Sequence, residues 1–312
     1  MQIIRGIHNL RPKHQGCVAT IGNFDGVHLG HQAVFRNLIA RGHTLGLPGT
    51  VVTFEPQPQE YFAPRQAPAR LTRLREKLEA IQATGVERVL LLEFNARLAA
   101  MPAEAFVERL LVQGLGARFL SVGDDFRFGQ GREGDFGLLC ESGARHGFTV
   151  ENMRTFCLAE NRVSSTRVRE ALGRGDLGTA ARLLGRPYRL CGRVTHGAKR
   201  GRTIGYPTAN LDLHRRVSPV HGVYAVRVLG IGAEARPGVA NIGYRPTVVG
   251  DRRFLLEVHL LDFTGDLYGA YLAVELVHKL REERRFAAFE ELRQQIVQDS
   301  RQARDLLVGG GR

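Results

Sequence analysis

The sequence has few cysteines and no long apolar run, and each absence excludes a class of protein. Its four cysteines form no C-x-x-C pair, and their spacing suits neither a zinc site nor a disulfide framework. No apolar run approaches the ~18 residues that a membrane span requires, and residues 1–15 lack the apolar core of a secretory signal. We therefore expect reduced thiols in a soluble, cytoplasmic protein that has no membrane partner.

Lysine is also scarce, although the chain is strongly basic. Lysine and arginine total 44, of which only four are lysine, so arginine supplies 44 − 4 = 40 cations and the net charge is +13. The planar guanidinium suits phosphate, which predicts anionic partners such as nucleotides, nucleic acid or an anionic surface. The arginines are scattered, with no basic stripe and no basic aromatic platform, and this disfavours nucleic acid as the partner.

The first half of the sequence alternates short apolar strands with helical patterns. Strands are predicted at 17–21, 50–55, 86–94 and 118–123, helices at 30–41, 71–84, 102–113 and 135–146, and an extended segment at 148–156. Gly42 is expected to end the first helix. This alternation predicts a parallel sheet covered by helices on both faces. The loops that begin at Gly22, Glu55 and Gly123 should therefore converge at the carboxyl edge of the sheet, where ligands bind.

The second half lacks crossover helices. Short strands are predicted at 188–194, 223–229, 237–242, 254–262 and 271–277, followed by one helix at 289–307 that should dock on them. Strands without crossover helices indicate antiparallel pairing, hence a small barrel or sandwich with a terminal helix. We place the domain boundary between residues 184 and 185, which gives domains of 1–184 and 185–308.

The first motif joins the first predicted strand to the first helix. Residues 22–31 read G-N-F-D-G-V-H-L-G-H. Glycines allow close approach of the backbone, and a helix N-terminus offers free N–H groups to phosphate. His28 and His31 could donate hydrogen bonds to phosphate oxygens while charge builds up during transfer. On spacing alone, a glycine-rich turn with surface histidines is an equal alternative.

The motif H-x-G-H after a first strand resembles the signature of the nucleotidyltransferase superfamily, which has a Rossmann-like parallel sheet. A second signature of that superfamily, a serine/threonine-rich turn followed by arginine, resembles residues 164–169, S-S-T-R-V-R. Taken alone, these hydroxyls also fit ordinary helix N-caps. Together with residues 53–56, 71–72 and 123–129, both motifs resemble the FAD synthetase module of bacterial bifunctional riboflavin kinase/FAD synthetase.

This resemblance implies that the phosphate of FMN attacks the α-phosphorus of ATP and that pyrophosphate leaves. His28 and His31 would then stabilise the transferring phosphate. The other implied nucleotide and flavin contacts are Gly22, Asn23, Asp25 and Gly30 in the first loop, Gly123, Asp125 and Phe126 in the third, and Ser164, Ser165, Thr166 and Arg169 on the triphosphate. One position departs from the family: Gln57 stands between two prolines where many members carry histidine, and glutamine cannot become cationic near neutral pH.

A second set of phosphate-binding residue types lies in the second half. Residues 192–210 combine glycines, arginines and the run P-T-A-N, without a P-loop. In an extended segment Thr208 and Asn210 share a face, and neutral oxygens there could complete a Mg²⁺ shell. By composition alone, a basic turn before a strand explains the same residues.

The run P-T-A-N after H-G-x-x-R-G-R resembles the riboflavin kinase module, a six-stranded antiparallel barrel, and residues 222–224, 241–247, 256–262 and 280–283 extend the match. The resemblance implies that Thr208 and Asn210 bind Mg²⁺ and ATP and that Glu257 is the general base for the ribityl 5′-hydroxyl. Four further residues would contact the nucleotide: Gly197, Arg202, Gly205 and Pro207.

Together the two modules imply a bifunctional enzyme whose small-molecule partners are riboflavin, FMN and ATP, with FMN and FAD as products. Two alternatives remain from the sequence. A transferase with H-x-G-H could use another acceptor, such as pantetheine phosphate or choline phosphate, although the second module disfavours this. The basic charge could instead serve nucleic acid. The sequence leaves the oligomeric state open and is compatible with a monomer.

Overall fold

The computed structural model describes residues 1–123, 125–153, 156–158, 161–195, 208–215, 217–246 and 252–308. The chain divides into two compact units: Met1–Pro68 with Thr72–Ser164, and Ala69–Leu71 with Ser165–Arg312. Among the described residues, no helix combines the length and apolarity that crossing a membrane would take.

The first unit is built on a six-stranded sheet in which every pairing is parallel. The strands are β1 Gln2–Arg5, β2 Cys17–Ile21, β3 Gly49–Glu55, β4 Arg88–Glu93, β5 Ala117–Val122 and β6 Thr149–Asn152, in the spatial order β1-β4-β3-β2-β5-β6. All five residues of β2 are buried, as expected for a central parallel strand covered on both faces. The predicted parallel sheet is therefore confirmed. From β2 the chain adds β3 and β4 on one side and then β5 and β6 on the other, so β2 is the point at which the strand order reverses.

The strand order also confirms that the three informative loops converge. β2 pairs with β3 on one side and with β5 on the other, so the loops after these three strands leave the same edge of the sheet side by side. The edge strand β1 was not predicted, because it is too short for a clear period and buries only Ile4.

Helices of the first unit connect these strands. They are α1 Leu29–Leu45, α2 Pro58–Phe62, α3 Leu74–Gln82, α4 Ala96–Ala99, α5 Ala103–Phe106 and α6 Phe136–His146, and α5 continues as a π-helix over Val107–Gly114. A two-stranded hairpin, β7 Cys157–Leu158 and β8 Asn161–Arg162, lies near the end of this unit.

The expectation that Gly42 ends the first helix is wrong. Helix α1 continues to Leu45, and Gly46 terminates it in the left-handed conformation at φ 64°. Gly42 is buried inside the helix, where a Cβ atom would lie 2.5 Å from the carbonyl oxygen of Leu47. Glycine is required there because the chain folds back over that turn, and sequence alone does not separate this packing role from a stop signal.

The second unit contains two helices, a closed barrel and a terminal helix. The helices are α7 Ser165–Gly173, α8 Leu177–Leu184 and α9 Phe289–Val308. The barrel strands are β9 Arg189–Thr195, β10 Thr208–Asp212, β11 Gly222–Leu229, β12 Arg236–Pro246, β13 Arg252–Leu260 and β14 Tyr271–Arg281. They close in the order β10-β13-β12-β11-β14-β9 with antiparallel pairing throughout, which confirms the barrel rather than a sandwich.

Helix α9 packs on the outside of the barrel. Its Ala303 is buried in a small apolar cluster with Ala225 of β11 and Leu261, and Val239 of β12 packs against the same cluster. The predicted docking of the terminal helix is therefore confirmed. Helix α8 was not predicted, although Asp176 caps it by accepting a hydrogen bond from the Thr179 amide at 2.9 Å.

Candidate active sites

The loop between β2 and α1 carries two stacked histidines. His28 is the N-cap of α1, and its Nδ1 accepts a hydrogen bond from the His31 amide at 3.3 Å. The two imidazole rings stack with centroids 3.6 Å apart and planes 19° from parallel. Gly30 permits this arrangement, because a Cβ atom there would lie 3.1 Å from the His28 ring. The motif thus places two imidazoles at a helix N-terminus, where phosphate binding is favoured.

His31 is held in its neutral form. Burial, the neighbouring His28 and the cation of Lys77 lower the pKa of His31 well below its ordinary value, burial being the largest cause. Its Nδ1 is buried and has no hydrogen-bond partner among the described residues. His28 must also be unprotonated at Nδ1 to accept its N-cap bond. Two neutral imidazoles can each donate one hydrogen bond, and an arriving polyanion can raise their affinity for protons.

The loop itself is fastened by Asp25 and Thr72. The Asp25 carboxylate accepts hydrogen bonds from the Thr72 amide at 3.0 Å and from its hydroxyl at 3.2 Å, and the same hydroxyl accepts from the Gly26 amide at 3.0 Å. These bonds involve buried groups, so they fix the loop in place. They also explain why the predicted helix at 71–84 begins only at Leu74, since Thr72 turns toward Asp25.

The backbone of the same loop, between β2 and α1, is strained. Phe24 and Val27 adopt φ of 47° and 45°, the left-handed region that bulky and β-branched side chains rarely enter. Each such residue costs about 1–3 kcal/mol, and strain of this kind clusters at functional sites. The Phe24 ring contacts the His31 ring edge-on at 5.2 Å, so the strained backbone supports the histidine pair.

The loop after β3 places Gln57 at the same edge of the sheet. The Thr53 hydroxyl donates to the Asn23 carbonyl oxygen at 3.3 Å and ties this strand end to the first loop. Gln57 is the N-cap of α2 and is 5% exposed, and its Nε2 has no hydrogen-bond partner among the described residues. A buried amide donor therefore stands at the position where the sequence departs from the family that its motifs resemble.

The loop after β5 supplies an aromatic surface. The Phe126 amide donates to the Gly123 carbonyl oxygen at 3.1 Å, which closes a tight turn. The half-buried Phe126 ring stacks on Phe128 with centroids 5.5 Å apart. Asp125 is exposed and lies 3.9 Å from the guanidinium of Arg162. An aromatic face beside polar groups suits a flat heterocyclic ligand.

The serine-rich segment spans both compact units. A Cβ atom on Gly30 would lie 3.5 Å from the Val163 carbonyl oxygen, so the residue before Ser164 adjoins the histidine loop. Ser165 and Thr166 open helix α7 in the second unit, as the helix-start pattern predicts. In the same unit, Arg169 donates through Nε to the Ala69 carbonyl oxygen at 2.6 Å. The joint binding of a triphosphate by this segment and the histidines stays a prediction.

The barrel brings the three predicted kinase residues onto neighbouring strands. Asn210 of β10 lies directly opposite Glu257 of β13, and Thr208 lies opposite His259 on the same pair of strands. Directly paired residues point to the same side with Cα atoms roughly 4.5–5.5 Å apart. Asn210 is 6% exposed, and its Oδ1 has no hydrogen-bond partner in the part of the chain that the structure describes. Neutral oxygens in this setting fit a Mg²⁺ shell that is completed by phosphate and water.

Four predicted nucleotide contacts, Gly197, Arg202, Gly205 and Pro207, lie outside the described residues. Lys77 was not predicted as a site residue, although it is fully buried in α3 and its positive charge lowers the pKa of His31. Its signal was available, because Lys77 precedes Ile81 by four residues and therefore shares the apolar face of the helix. Because lysine is rarely buried, a lysine on the apolar face of a helix could have been singled out as a candidate site residue.

The geometry defines a class of protein. The first unit has a histidine pair at the topological switch point of a parallel sheet, which suits nucleotidyl transfer. The barrel places a hydroxyl-bearing and an amide-bearing residue, Thr208 and Asn210, beside the carboxylate of Glu257, which suits phosphoryl transfer to an alcohol. The chain is thus a two-site enzyme of nucleotide-dependent group transfer.

Comparisons with known proteins identify the family. The family model described as FAD synthetase matches residues 10–167, and the one described as riboflavin kinase matches residues 184–307. The bifunctional riboflavin kinase/FMN adenylyltransferase of Escherichia coli K12 is 55% identical over 98% of this chain and 97% of its own length. The protein of the same name from Pseudomonas fluorescens is 56% identical over 98% of both chains. The chain belongs to the family of bifunctional riboflavin kinases/FMN adenylyltransferases, which confirms the resemblance seen in its motifs.

A solved structure supports the fold over the whole chain. A Streptococcus pneumoniae protein described as a macrolide-efflux protein aligns with a TM-score of 0.82 and 30% identity, covering 98% of this chain and 99% of that one. Its description names a different activity, and the family assignment rests on the more similar relatives above.

Proposed function

We propose that the two reactions of this bifunctional enzyme are divided between its two halves. Residues 1–184 would transfer the adenylyl group from ATP to FMN, and residues 185–308 would transfer the γ-phosphoryl group of ATP to riboflavin. The family matches to 10–167 and 184–307 support this boundary. The single observation that carries the proposal is that the two halves place different chemical groups together: a stacked histidine pair at a helix N-terminus, and Thr208 and Asn210 beside Glu257 on neighbouring barrel strands.

Adenylyl transfer requires no general base, because the attacking oxygen of the FMN phosphate is already an anion. That oxygen forms a bond to the α-phosphorus of ATP while the bond to the bridging oxygen breaks and pyrophosphate leaves. The enzyme must therefore stabilise the charge that develops on the α-phosphate oxygens. His28 and His31 donate hydrogen bonds at the N-terminus of α1, and the bonds between Asp25 and Thr72 hold the loop that presents them.

Phosphorylation of riboflavin makes a different demand, because an alcohol is a weak nucleophile. Glu257 takes the proton of the ribityl 5′-hydroxyl as its oxygen attacks the γ-phosphorus, and ADP leaves. A positioned general base typically contributes ~10²–10⁴-fold. Thr208 and Asn210 would hold Mg²⁺, which when bound neutralises charge on the phosphate oxygens.

The remaining parts of the proposal concern the setting of the enzyme. We take Mg²⁺ as its metal, small molecules as its partners and the cytoplasm as its location. The scattered arginines and the reduced cysteines support this setting, since neither a concentrated basic stripe nor a disulfide framework is present in the sequence.

A time course of flavin products tests the division. Wild-type protein given riboflavin, ATP and Mg²⁺ should form FMN and then FAD, separated by HPLC. Glu257→Gln should lower FMN formation by ~10²-fold or more and leave the conversion of added FMN to FAD unchanged. His28→Gln should do the reverse. The activity that each variant keeps shows that the half of the chain without the substitution is still folded. Equal loss of both activities in a folded variant would contradict the proposal.

A further inference from the structure

The register of the barrel places a third side chain in line with Asn210 and Glu257. Strand β13 lies between β10 and β12, and Glu257 pairs directly with Asn210 on one side and with Asn241 on the other. Directly paired residues point to the same side of a sheet, so the three side chains form one row. Their neighbours in sequence, including Leu256 and Ile242, are fully buried on the inner face, which places the row on the outside of the barrel.

The two amides in this row share an unusual property. The Oδ1 atoms of Asn210 and Asn241 are both buried, and neither accepts a hydrogen bond from any described residue. A buried carbonyl oxygen without a partner is costly, and such groups are rare in folded proteins. The row therefore offers two acceptors, one on each side of Glu257, and no donor among the described residues fills either of them.

The surroundings of the two amides differ. On β10, Thr208 adds a second oxygen on the same face as Asn210, which favours a metal. On β12, the same-face neighbours of Asn241 are Val239 and Gly243, and the residue directly opposite on β11 is the buried Val223, which forms an apolar strip with Val239. The Glu283 carboxylate occupies the space over Gly243, where a Cβ atom would clash with it. A neutral amide oxygen that lies between valines and the carboxylates of Glu257 and Glu283 is a good acceptor for a hydroxyl, and the carboxylates disfavour an anion beside it.

Helix α9 bounds this apolar strip. Val239 packs against the cluster that Ala303 of α9 completes, and Asn241 is the next residue on that face of β12. Asn241 therefore lies between an apolar strip and the proposed base. A molecule that has hydroxyls on a carbon chain matches this position better than a phosphate, which the carboxylates of Glu257 and Glu283 would repel.

We propose that Asn241 binds the acceptor alcohol of the kinase reaction. Its Oδ1 accepts a hydrogen bond from a hydroxyl of the polyol chain, on the side of Glu257 away from Asn210. The metal and the nucleotide then approach Glu257 from β10 and the alcohol approaches it from β12. This inference rests on the proposed function of the barrel and adds an acceptor-binding residue to it.

Kinase kinetics of the full chain test this role with two variants. Asn241→Leu keeps the shape and removes the acceptor, and Asn241→Ser retains a smaller one. We expect Asn241→Leu to raise the KM for riboflavin by about 3- to 10-fold, as for the loss of one neutral hydrogen bond, and Asn241→Ser to raise it less. The KM for ATP and the Mg²⁺ dependence should stay within about twofold, because a single bond is lost on the acceptor side alone.

Lumiflavin provides the matched control, because it has the flavin ring without the ribityl chain. Its inhibition constant against riboflavin phosphorylation should be the same in both variants and the wild type. A parallel loss of lumiflavin inhibition, a shifted Mg²⁺ dependence or an unchanged KM for riboflavin would each overturn the role of Asn241. The proposed function fails on a different result, namely full kinase activity in Glu257→Gln.

Discussion

The histidine pair should carry at most one positive charge in the free enzyme. Two unit charges 3.6 Å apart, the separation of the His28 and His31 ring centroids, repel by about 4–5 kcal/mol at an effective dielectric constant of about 20. Burial adds to this cost for His31, whose pKa is held well below its ordinary value. The enzyme therefore meets ATP with a neutral His31, whose single ring N–H can donate a hydrogen bond.

The substitution His28→Gln tests this reasoning. It removes a group that opposes the protonation of His31 and leaves burial and Lys77 in place, so the pKa of His31 should rise without reaching its ordinary value. Histidine carbon NMR of the full chain measures this, with His31→Gln identifying the resonance. The exposed His43 at the far end of α1 reports whether the helix is intact. A wild-type His31 that titrates normally, or one unaffected by His28→Gln, would refute the reasoning.

The same depressed pKa links stability to pH. The pKa of His31 is lower in the folded chain than in the unfolded chain, so the unfolded state binds the proton first as the pH falls below about 6.5. Stability contributed by the neutral ring is thus present above that value and lost below it, by up to about 1.4 kcal/mol per pH unit. Denaturant titrations of wild type and His31→Gln at pH 7.5 and 5.5 should show a smaller acid loss in the variant.

Two further outcomes follow from the packing. Gly42→Ala should lower the unfolding midpoint in urea by an amount equivalent to about 1–3 kcal/mol, because its methyl group would lie 2.5 Å from the Leu47 carbonyl oxygen. Gly173→Ala should be neutral or stabilising by up to about 1 kcal/mol, because a Cβ atom there meets nothing within 4 Å. If both substitutions lowered the free energy of unfolding, or both raised it, this interpretation of the two glycines would be contradicted. A thiol reagent should label the exposed Cys140 and Cys157 rapidly in the native protein and the two buried cysteines only after unfolding, and rapid reaction of all four would show that the core is not closed.

Sequence patterns predicted most of the architecture because the responsible signals are local. Apolar runs and their spacing identified the central parallel strands, and the convergence of the loops after β2, β3 and β5 follows from parallel pairing alone. The strand rhythm of the second half left a barrel and a sandwich open, since closure depends on pairing between β9 and β10 and between β10 and β13.

Features that depend on long-range packing could not be predicted. The role of Gly42 is set by a carbonyl that folds back over its helix, and the protonation of His31 is set by burial. The row that joins Asn241 to Glu257 and Asn210 exists only through strand register, because these residues are far apart in sequence. Motifs identified the chemical groups, and the fold determined their neighbours.

Isotope tracing of the two phosphoryl positions tests the central claim most directly. Wild-type protein is given riboflavin with ATP labelled at the γ-phosphorus in one reaction and at the α-phosphorus in another. We expect FMN to be labelled only in the reaction with γ-labelled ATP, and FAD to be labelled in both reactions. His28→Gln should accumulate γ-labelled FMN and form no α-labelled FAD. Entry of the α label into FMN, or α-labelled FAD formed at the wild-type rate by His28→Gln, would contradict the assignment of one cleavage to each site.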